Sequence, residues 1–349
     1  MQKKLIALAV AGLVSGGAFA QSNVTISGAL DLGFESVASK GGAAGTDATS
    51  RSRITNNTSW LRFSGAEDLG GGLKAVFQIE QDVNGDTGSA TGIASRNTYV
   101  GLAGNFGTAL IGRYDVHYTS HMAGVDDGSN GAIPHAANTL NMVGEYNGTV
   151  IGGRMDNVIA YVSPSFGGLT AQFGYTTMSE ATTAGLPAKD SAYNLYLRYG
   201  NGPISAIWSS TKVSNSGNTT AAAGDITANR LGAAYNFGIV KVGVIYDDTE
   251  IGTASRTAWG LPITFTMGPN RVYFEYSKAG AIEGMANSAA KNYALAYTYD
   301  LSKRTQLGVS YSKITNEANA KYDFWTRGVG NVANGSDPSS FYAGVYHSF

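Results

Sequence analysis

The sequence predicts an all-β protein, a 16-stranded antiparallel transmembrane β-barrel with a long third loop folded into its lumen. Three observations carry this reading. Short segments alternate apolar and polar residues along most of the chain, tight turns recur at a near-constant interval, and the chain closes on an alternating strand that ends in Phe349.

The first 20 residues form an export signal rather than a strand. Lys3 and Lys4 supply a positive start, residues 5–14 are apolar, and Ala18-Phe19-Ala20 is a small-x-small cleavage site. The apolar run is too short to span a bilayer as a helix. The expected organisation is therefore a signal peptide over 1–20 and one barrel domain over 21–349.

Beyond the signal, no apolar stretch is long enough for a transmembrane helix. In residues 73–82, Leu73, Ala75, Phe77 and Ile79 share one parity while Lys74, Gln78, Glu80 and Asp82 share the other. A strand sends successive side chains to opposite faces, so one face is apolar and one is polar. The same pattern appears in 193–199, 238–246, 270–277 and 304–312, and in the last nine residues, where Phe341, Ala343, Val345, His347 and Phe349 share a parity. None of these segments has a helical period.

Turn centres near residues 69, 105, 166, 201, 237, 268 and 301 divide the chain. Five of the six intervals span 31 to 36 residues. Two tilted membrane strands of about 9–11 residues each, a short turn and a longer loop fill roughly 35 residues. Seven short turns plus a free strand at each end make sixteen strands, with both termini on the periplasmic side. Pro262 falls in a proposed strand over 257–266, where the missing N–H predicts a bulge or a break.

The remaining interval is 61 residues long and holds a loop from about 116 to 156. It is not highly charged and carries Tyr118, Met122, Leu140, Met142, Val143 and Tyr146, so it can bury surface. A sixteen-stranded barrel leaves a wide aqueous lumen. Folding inward to narrow it is the simplest use of such a loop; the alternative is an extracellular lid.

Composition excludes several chemistries. There is no cysteine, hence no thiolate nucleophile and no cysteine-based zinc site. His117 and His121 lie four apart without the glutamate of a His-Glu-x-x-His motif. Neither a Gly-x-Ser-x-Gly elbow nor a phosphate-binding glycine loop is present. An enzyme, a cofactor or a metal is not expected, and a formal net charge of −1 gives no footprint for nucleic acid.

Seven motifs in order resemble the trimeric general porins of β-proteobacteria, from end to end of the chain. They are Val24-Thr25-Ile26-Ser27-Gly28, the run Gly65 through Ala75 (Gly-Ala-Glu-Asp-Leu-Gly-Gly-Gly-Leu-Lys-Ala), Arg96-Asn97-Thr98-Tyr99-Val100-Gly101-Leu102, and Gly104-Asn105-Phe106-Gly107 leading to Ile111-Gly112-Arg113. Tyr161-Val162-Ser163-Pro164-Ser165-Phe166-Gly167-Gly168, Leu301-Ser302-Lys303-Arg304-Thr305 and His347-Ser348-Phe349 complete the set. The resemblance implies an outer-membrane homotrimer whose third loop enters each pore, passing small hydrophilic solutes and ions by diffusion. It also implies a wall of arginines facing acidic loop residues.

On that resemblance Arg113 and Arg154 sit at matching positions. Relatives often carry basic residues where this chain has Trp60 and Ser64; Arg62 lies between them on the lumen parity. Asp126, Asp127 and Glu145 are the candidate loop partners. The arginines can set ion preference through a fixed field, or simply hold the loop by pairing with its acids. Lys74, Arg198, Arg230, Lys241 and Arg271 also fall on the polar parity, as lumen lining with a mild pull on anions. Phe349 matches the terminal aromatic read by barrel-assembly machinery. The expected function is a diffusion channel with a weak anion preference; the alternative within the class is a substrate-specific channel for sugar or phosphate. A soluble ligand-binding β-protein would extract without detergent, and a barrel hydrolase would need its histidines.

Overall fold

Hydrocarbon offers no partner to a backbone N–H or C=O, so a sheet that spans it has to close. The computed structural model shows that closure. It describes residues 23–42, 47–89, 91–115, 122, 124–128, 145–146, 149–150, 154–177, 191–214, 225–324, 328–330 and 332–349. The export signal expected over 1–20 lies outside them.

The chain begins with β1 (Asn23–Lys40), β2 (Ala48–Asn56), β3 (Trp60–Gly70), β4 (Leu73–Asp82), β5 (Thr98–Gly104) and β6 (Gly107–Asp115). The long third loop follows, holding a small hairpin of β7 (Glu145–Tyr146) and β8 (Thr149–Val150). The barrel resumes with β9 (Arg154–Val162), β10 (Leu169–Thr176), β11 (Ser191–Asn201), β12 (Ile204–Ser214) and β13 (Ile226–Asn236). Next come β14 (Val240–Ile251), β15 (Ala254–Met267), β16 (Asn270–Ala279), β17 (Ala290–Asp300), β18 (Thr305–Asn316) and β19 (Asp337–Ser348).

Seventeen segments share one antiparallel sheet, but they make sixteen staves. β3 pairs with the first half of β1 and β2 with its second half, so these two are pieces of a single strand. The interruption falls at Asn57, Thr58 and Ser59, and Asp31 spans it. The Asn57 amide and the Thr58 hydroxyl donate to its carboxylate at 2.8 and 3.1 Å, while its own N–H donates to the Ser59 hydroxyl at 2.8 Å.

β19 closes the ring on β1, in register from Ala29 opposite Ser348 to Lys40 opposite Asp337. The last residue completes the seam. Gly28 and Phe349 exchange both backbone hydrogen bonds, at 3.1 and 3.0 Å. The Phe349 ring lies over Gly28, so that a Cβ there would stand 2.5 Å from Cζ and 2.8 Å from the Trp60 carbonyl oxygen. Further along the seam, the buried Tyr342 ring lies across Gly33 and Gly344 and its hydroxyl donates to Asp31 at 3.2 Å.

The two faces invert the rule for soluble proteins. Outward rows carry exposed apolar and aromatic side chains, among them Ile26, Phe34, Ile111, Ile159, Val244, Leu295, Val309 and Phe341. Inward rows carry buried polar and charged ones, including Glu35, Glu80, Asn194, Arg230, Asp247, Glu275 and Ser312. This is the alternation of a barrel whose outside meets lipid.

At Pro262 the expected bulge or break does not occur. β15 runs through the proline in constant register with both neighbours. Only the β14 pairings opposite Leu261 and Pro262 are missing from the ladder. Gly243, lacking a side chain, leaves space for the ring, since a Cβ there would lie 3.0 Å from the Pro262 Cγ.

Gly28→Val tests the seam. The Trp60 carbonyl cannot give way, so the substitution is expected to destabilise the closed barrel by about 1–3 kcal/mol. The readout is a lower temperature for loss of the fast-migrating folded band on an unheated gel.

Candidate functional site

The third loop leaves β6 at Asp115, and its described part lands on the far wall. Met122 and Val125 are buried against Tyr196 of β11, Ile207 of β12, Ala234 of β13 and Ile245 of β14. All four wall residues sit on inward rows that are otherwise polar. The Val125 carbonyl lies so close to Gly243 that a Cβ would stand 2.7 Å from it. Gly128 abuts the Tyr273 ring of β16 just as tightly. In the order of the sheet β16 lies eight staves from β6, half of a sixteen-stave ring, so the loop crosses the lumen.

Asp126 and Asp127 anchor that crossing. Asp126 is buried and accepts from the Gly128 N–H at 2.7 Å. The Tyr273 hydroxyl lies 2.8 Å from Asp126 Oδ1 and 2.5 Å from Glu275 Oε2, and its single proton serves one of them at a time. Asp127 takes an ion pair of 2.7 Å from Lys241 of β14. Both acids therefore face β14–β16 rather than the arginine wall. Glu145 lies in the β7–β8 hairpin, and its side chain is outside the described residues.

The arginines gather on the other side. Arg62 faces the lumen, stacks on Trp60 at 4.5 Å and pairs with Glu80 at 2.6 Å. Arg96 pairs with the same Glu80 and with Asp82, the latter at 2.9 Å. Arg154 lies 3.7 Å from Asp115 and within reach of the charges on Arg96, Glu80 and Asp82. Glu80 is buried beneath them. The sequence reading misses Arg96 as a wall residue, although its motif stands out. A basic residue at the lip of a strand carries no parity, so alternation cannot place it.

Arg113, expected in the wall, is not part of this cluster. It pairs with Asp156 and donates to the Ser95 carbonyl at 3.2 Å, in an exterior cleft shared with Val100, Ile111 and Ile159. Val100, Ile111 and Ile159 are lipid-facing, and Arg113 has the parity of Ile111. Alternation along β6 gives the inward place to Tyr114, and the register slip between Gly112 and Tyr114 puts its extra residue on β9. Of the other expected lining residues, Arg230 is fully buried in a 2.9 Å pair with Asp247 and Lys241 holds the loop, while Arg198 stays exposed beside Gly124.

A second loop, between β18 and β19, also folds inward, which no sequence pattern indicates. Ala320, Tyr322, Phe324 and Val329 are buried against Val37, Ala228, Ile251, Ala258, Ala279, Ala290 and Ile314 of the inner wall. Small residues on the inward parity make the room. Arg256 donates to the Tyr322 hydroxyl at 2.5 Å, and Arg51 and Arg53 donate to the Val329 and Gly328 carbonyls. The mouth is thus narrowed above the third loop.

A closed sixteen-stave barrel, lipid-facing outside and polar inside, with charged side chains gathered on its inner wall, is an outer-membrane diffusion channel. The chain belongs to the Gram-negative porin family, whose model matches residues 7–319. It is 32% identical to outer membrane porin protein 32 of Delftia acidovorans, each chain covered in full. It is 27% identical to an outer membrane porin protein of Bordetella pertussis, over 90% of this chain and 94% of that one. Among solved structures, the anion-selective porin from Comamonas acidovorans superposes with a TM-score of 0.77 at 28% identity, covering 94% of this chain and 100% of the other. The protein is an outer-membrane porin with a water-filled channel for small hydrophilic solutes and ions.

Burial pushes the Asp126 carboxyl up to about 6 from its ordinary 3.8, against the hydrogen bonds from Gly128 and Tyr273. A raised value in the docked state means that docking binds a proton, so the loop is held most firmly below about pH 4 and loosens as pH rises through about 6. Protection of the amides over 124–128, with the base-catalysed intrinsic exchange rate divided out, is expected to be higher at pH 5 than at pH 7, and Asp126→Asn to remove that difference. Tyr273→Phe leaves Asp126 without its hydroxyl and is expected to weaken docking by about 1–3 kcal/mol, seen as added noise in single-channel current.

Proposed function

We propose that this porin prefers anions weakly, and that Arg62, Arg96 and Arg154 are the residues responsible. One observation carries the reading: the described loop acids, Asp126 and Asp127, are bound to the wall opposite these arginines. No described loop acid therefore adds to Glu80, Asp82 and Asp115 on this wall, and Glu80 is buried behind the guanidinium groups that face the lumen. Guanidinium groups stay charged at any working pH. Held at a narrow, low-dielectric passage, they bias which ions pass and orient water across the pore, which disfavours apolar solutes. Arg198, exposed on the inner face of β11, adds to the same pull. The relative from Comamonas acidovorans is described as anion-selective, in keeping with this reading.

We also propose a homotrimer assembled by the outer-membrane insertion machinery. Family membership supports the first part. The place of Phe349, at the last pairing of the seam, supports the second, since recognition of that strand would couple to closure.

Reversal potentials in planar bilayers test the selectivity. Arg96→Ala and Arg154→Ala are each expected to shift the potential toward cations, and Glu80→Gln toward anions. No shift in any of the three would make the cluster structural only. Conductance of the wild type that rises linearly with salt, without block by sugar or phosphate, separates general diffusion from a substrate-specific channel.

A further inference from the structure

The outward rows of β15 to β18 carry a charge arrangement that the channel does not use. Lys278 of β16 and Lys291 of β17 are direct cross-strand partners on the outer face. Direct partners have Cβ atoms about 5 Å apart, and like charges placed so destabilise the pair. Among the described residues, no ion pair reaches either lysine. The neighbouring acids are engaged elsewhere. Asp337 pairs with Lys313 at 3.5 Å and lies opposite Lys40. Glu283 accepts from the Ser255 hydroxyl, and Glu317 from the Ala289 N–H.

The level of the pair in the membrane is marked by aromatics. Trp259 is the partner of Lys278 on its other side, and Tyr276 and Tyr293 face each other one row toward the short-turn end. Their rings form a continuous strip, with Trp259 to Tyr276 at 5.2 Å and Tyr276 to Tyr293 at 5.0 Å. Such a belt sits at the lipid–water interface, with the headgroups just beyond it. Both lysines lie one residue from the long-loop ends of their strands, which is the extracellular side in this family. Lysine stems can lie along the apolar wall while the ammonium groups reach the headgroup layer. Thr315 and Lys313 flank the pair on β18.

We propose that Lys278 and Lys291 form a docking site for the phosphate of an outer-leaflet glycolipid. One phosphate between two ammonium groups converts their repulsion into two charge-assisted contacts. The acyl chains would then run down the Tyr276, Tyr293 and Leu295 surface. This rests on the outer-membrane placement, not on the ion preference proposed above.

The test compares binding of bis-phosphorylated lipid A and the same lipid without phosphate to the detergent-solubilised porin, by native mass spectrometry. Neither lysine lines the pore, so unitary conductance checks that each variant is folded. Wild type is expected to retain phosphorylated lipid A roughly tenfold more than Lys278→Gln/Lys291→Gln. The dephosphorylated lipid should bind both equally weakly, and Lys278→Arg/Lys291→Arg should bind as wild type. Millimolar inorganic phosphate should not displace the lipid. Equal retention by wild type and the glutamine variant, equal binding of the two lipids, or displacement by inorganic phosphate would each overturn the proposal. If the double variant fails to fold, the single Lys291→Gln variant carries the same comparison, with loss expected and unchanged binding overturning it.

Discussion

The need to pair every backbone group inside hydrocarbon governs this molecule. It forces the sheet to close, and closure needs a seam between the first and last strands. The seam here is built tightly. Gly28, Gly33 and Gly344 are kept bare so that Phe349 and Tyr342 can lie flat across it. Asp31 patches the gap in the second stave, and Tyr342 donates to that same carboxylate. A single inward acid thus serves both the seam and the break beside it.

Closure also decides where stability and function reside. Lipid takes the outward rows, so no conventional apolar core forms between layers. Among the described residues, apolar burial is found where loops return into the lumen and on inner-row patches such as Leu110, Val158 and Ala160 of β6 and β9. The third loop is held by Met122 and Val125 on an apolar patch of the inner wall, then by Asp126 and Asp127 on Tyr273 and Lys241. The last loop is held by Tyr322, Phe324 and Val329, with Arg51, Arg53 and Arg256 bonding to it. Each landing place interrupts the polar lining with apolar or small residues, and a proline with its glycine partner lies beneath the third loop.

The charges of the arginine wall follow a related logic. Arg62, Arg96 and Arg154 could not stand so near one another unscreened. Glu80 sits buried between Arg62 and Arg96, and Asp82 and Asp115 flank the group. Glu80 holds its two guanidinium groups in place from behind, and Asp82 and Asp115 hold theirs from the side. Asp126 and Asp127 are then released for anchoring, which separates loop position from field strength.

Much of the fold is legible in residue order. Period-two alternation, near-constant turn spacing and one oversized interval are local signals, and they imply sixteen staves, two chemically opposite faces and an inward third loop. Parity alone places Arg62, because it assigns a face to any residue in a regular strand. Arg113 is different: the motif match sets it in the wall, while the parity it shares with Ile111 carries it to the outer face. Tyr196, Ile245 and Tyr273 stand in the sequence as apolar or aromatic residues on a polar parity; that mismatch is the available sign of a loop landing place. Pro262 shows the reverse, since a strand's tolerance for proline depends on what its neighbour, Gly243, leaves open. What lies across the lumen from what is set by ring closure, which brings β6 opposite β16 although the two are far apart along the chain. Sequence determined the staves and their faces because those depend on nearest neighbours. Only the tertiary structure decided the partners of Asp126, Asp127 and Arg96, because those contacts exist only once the barrel has closed.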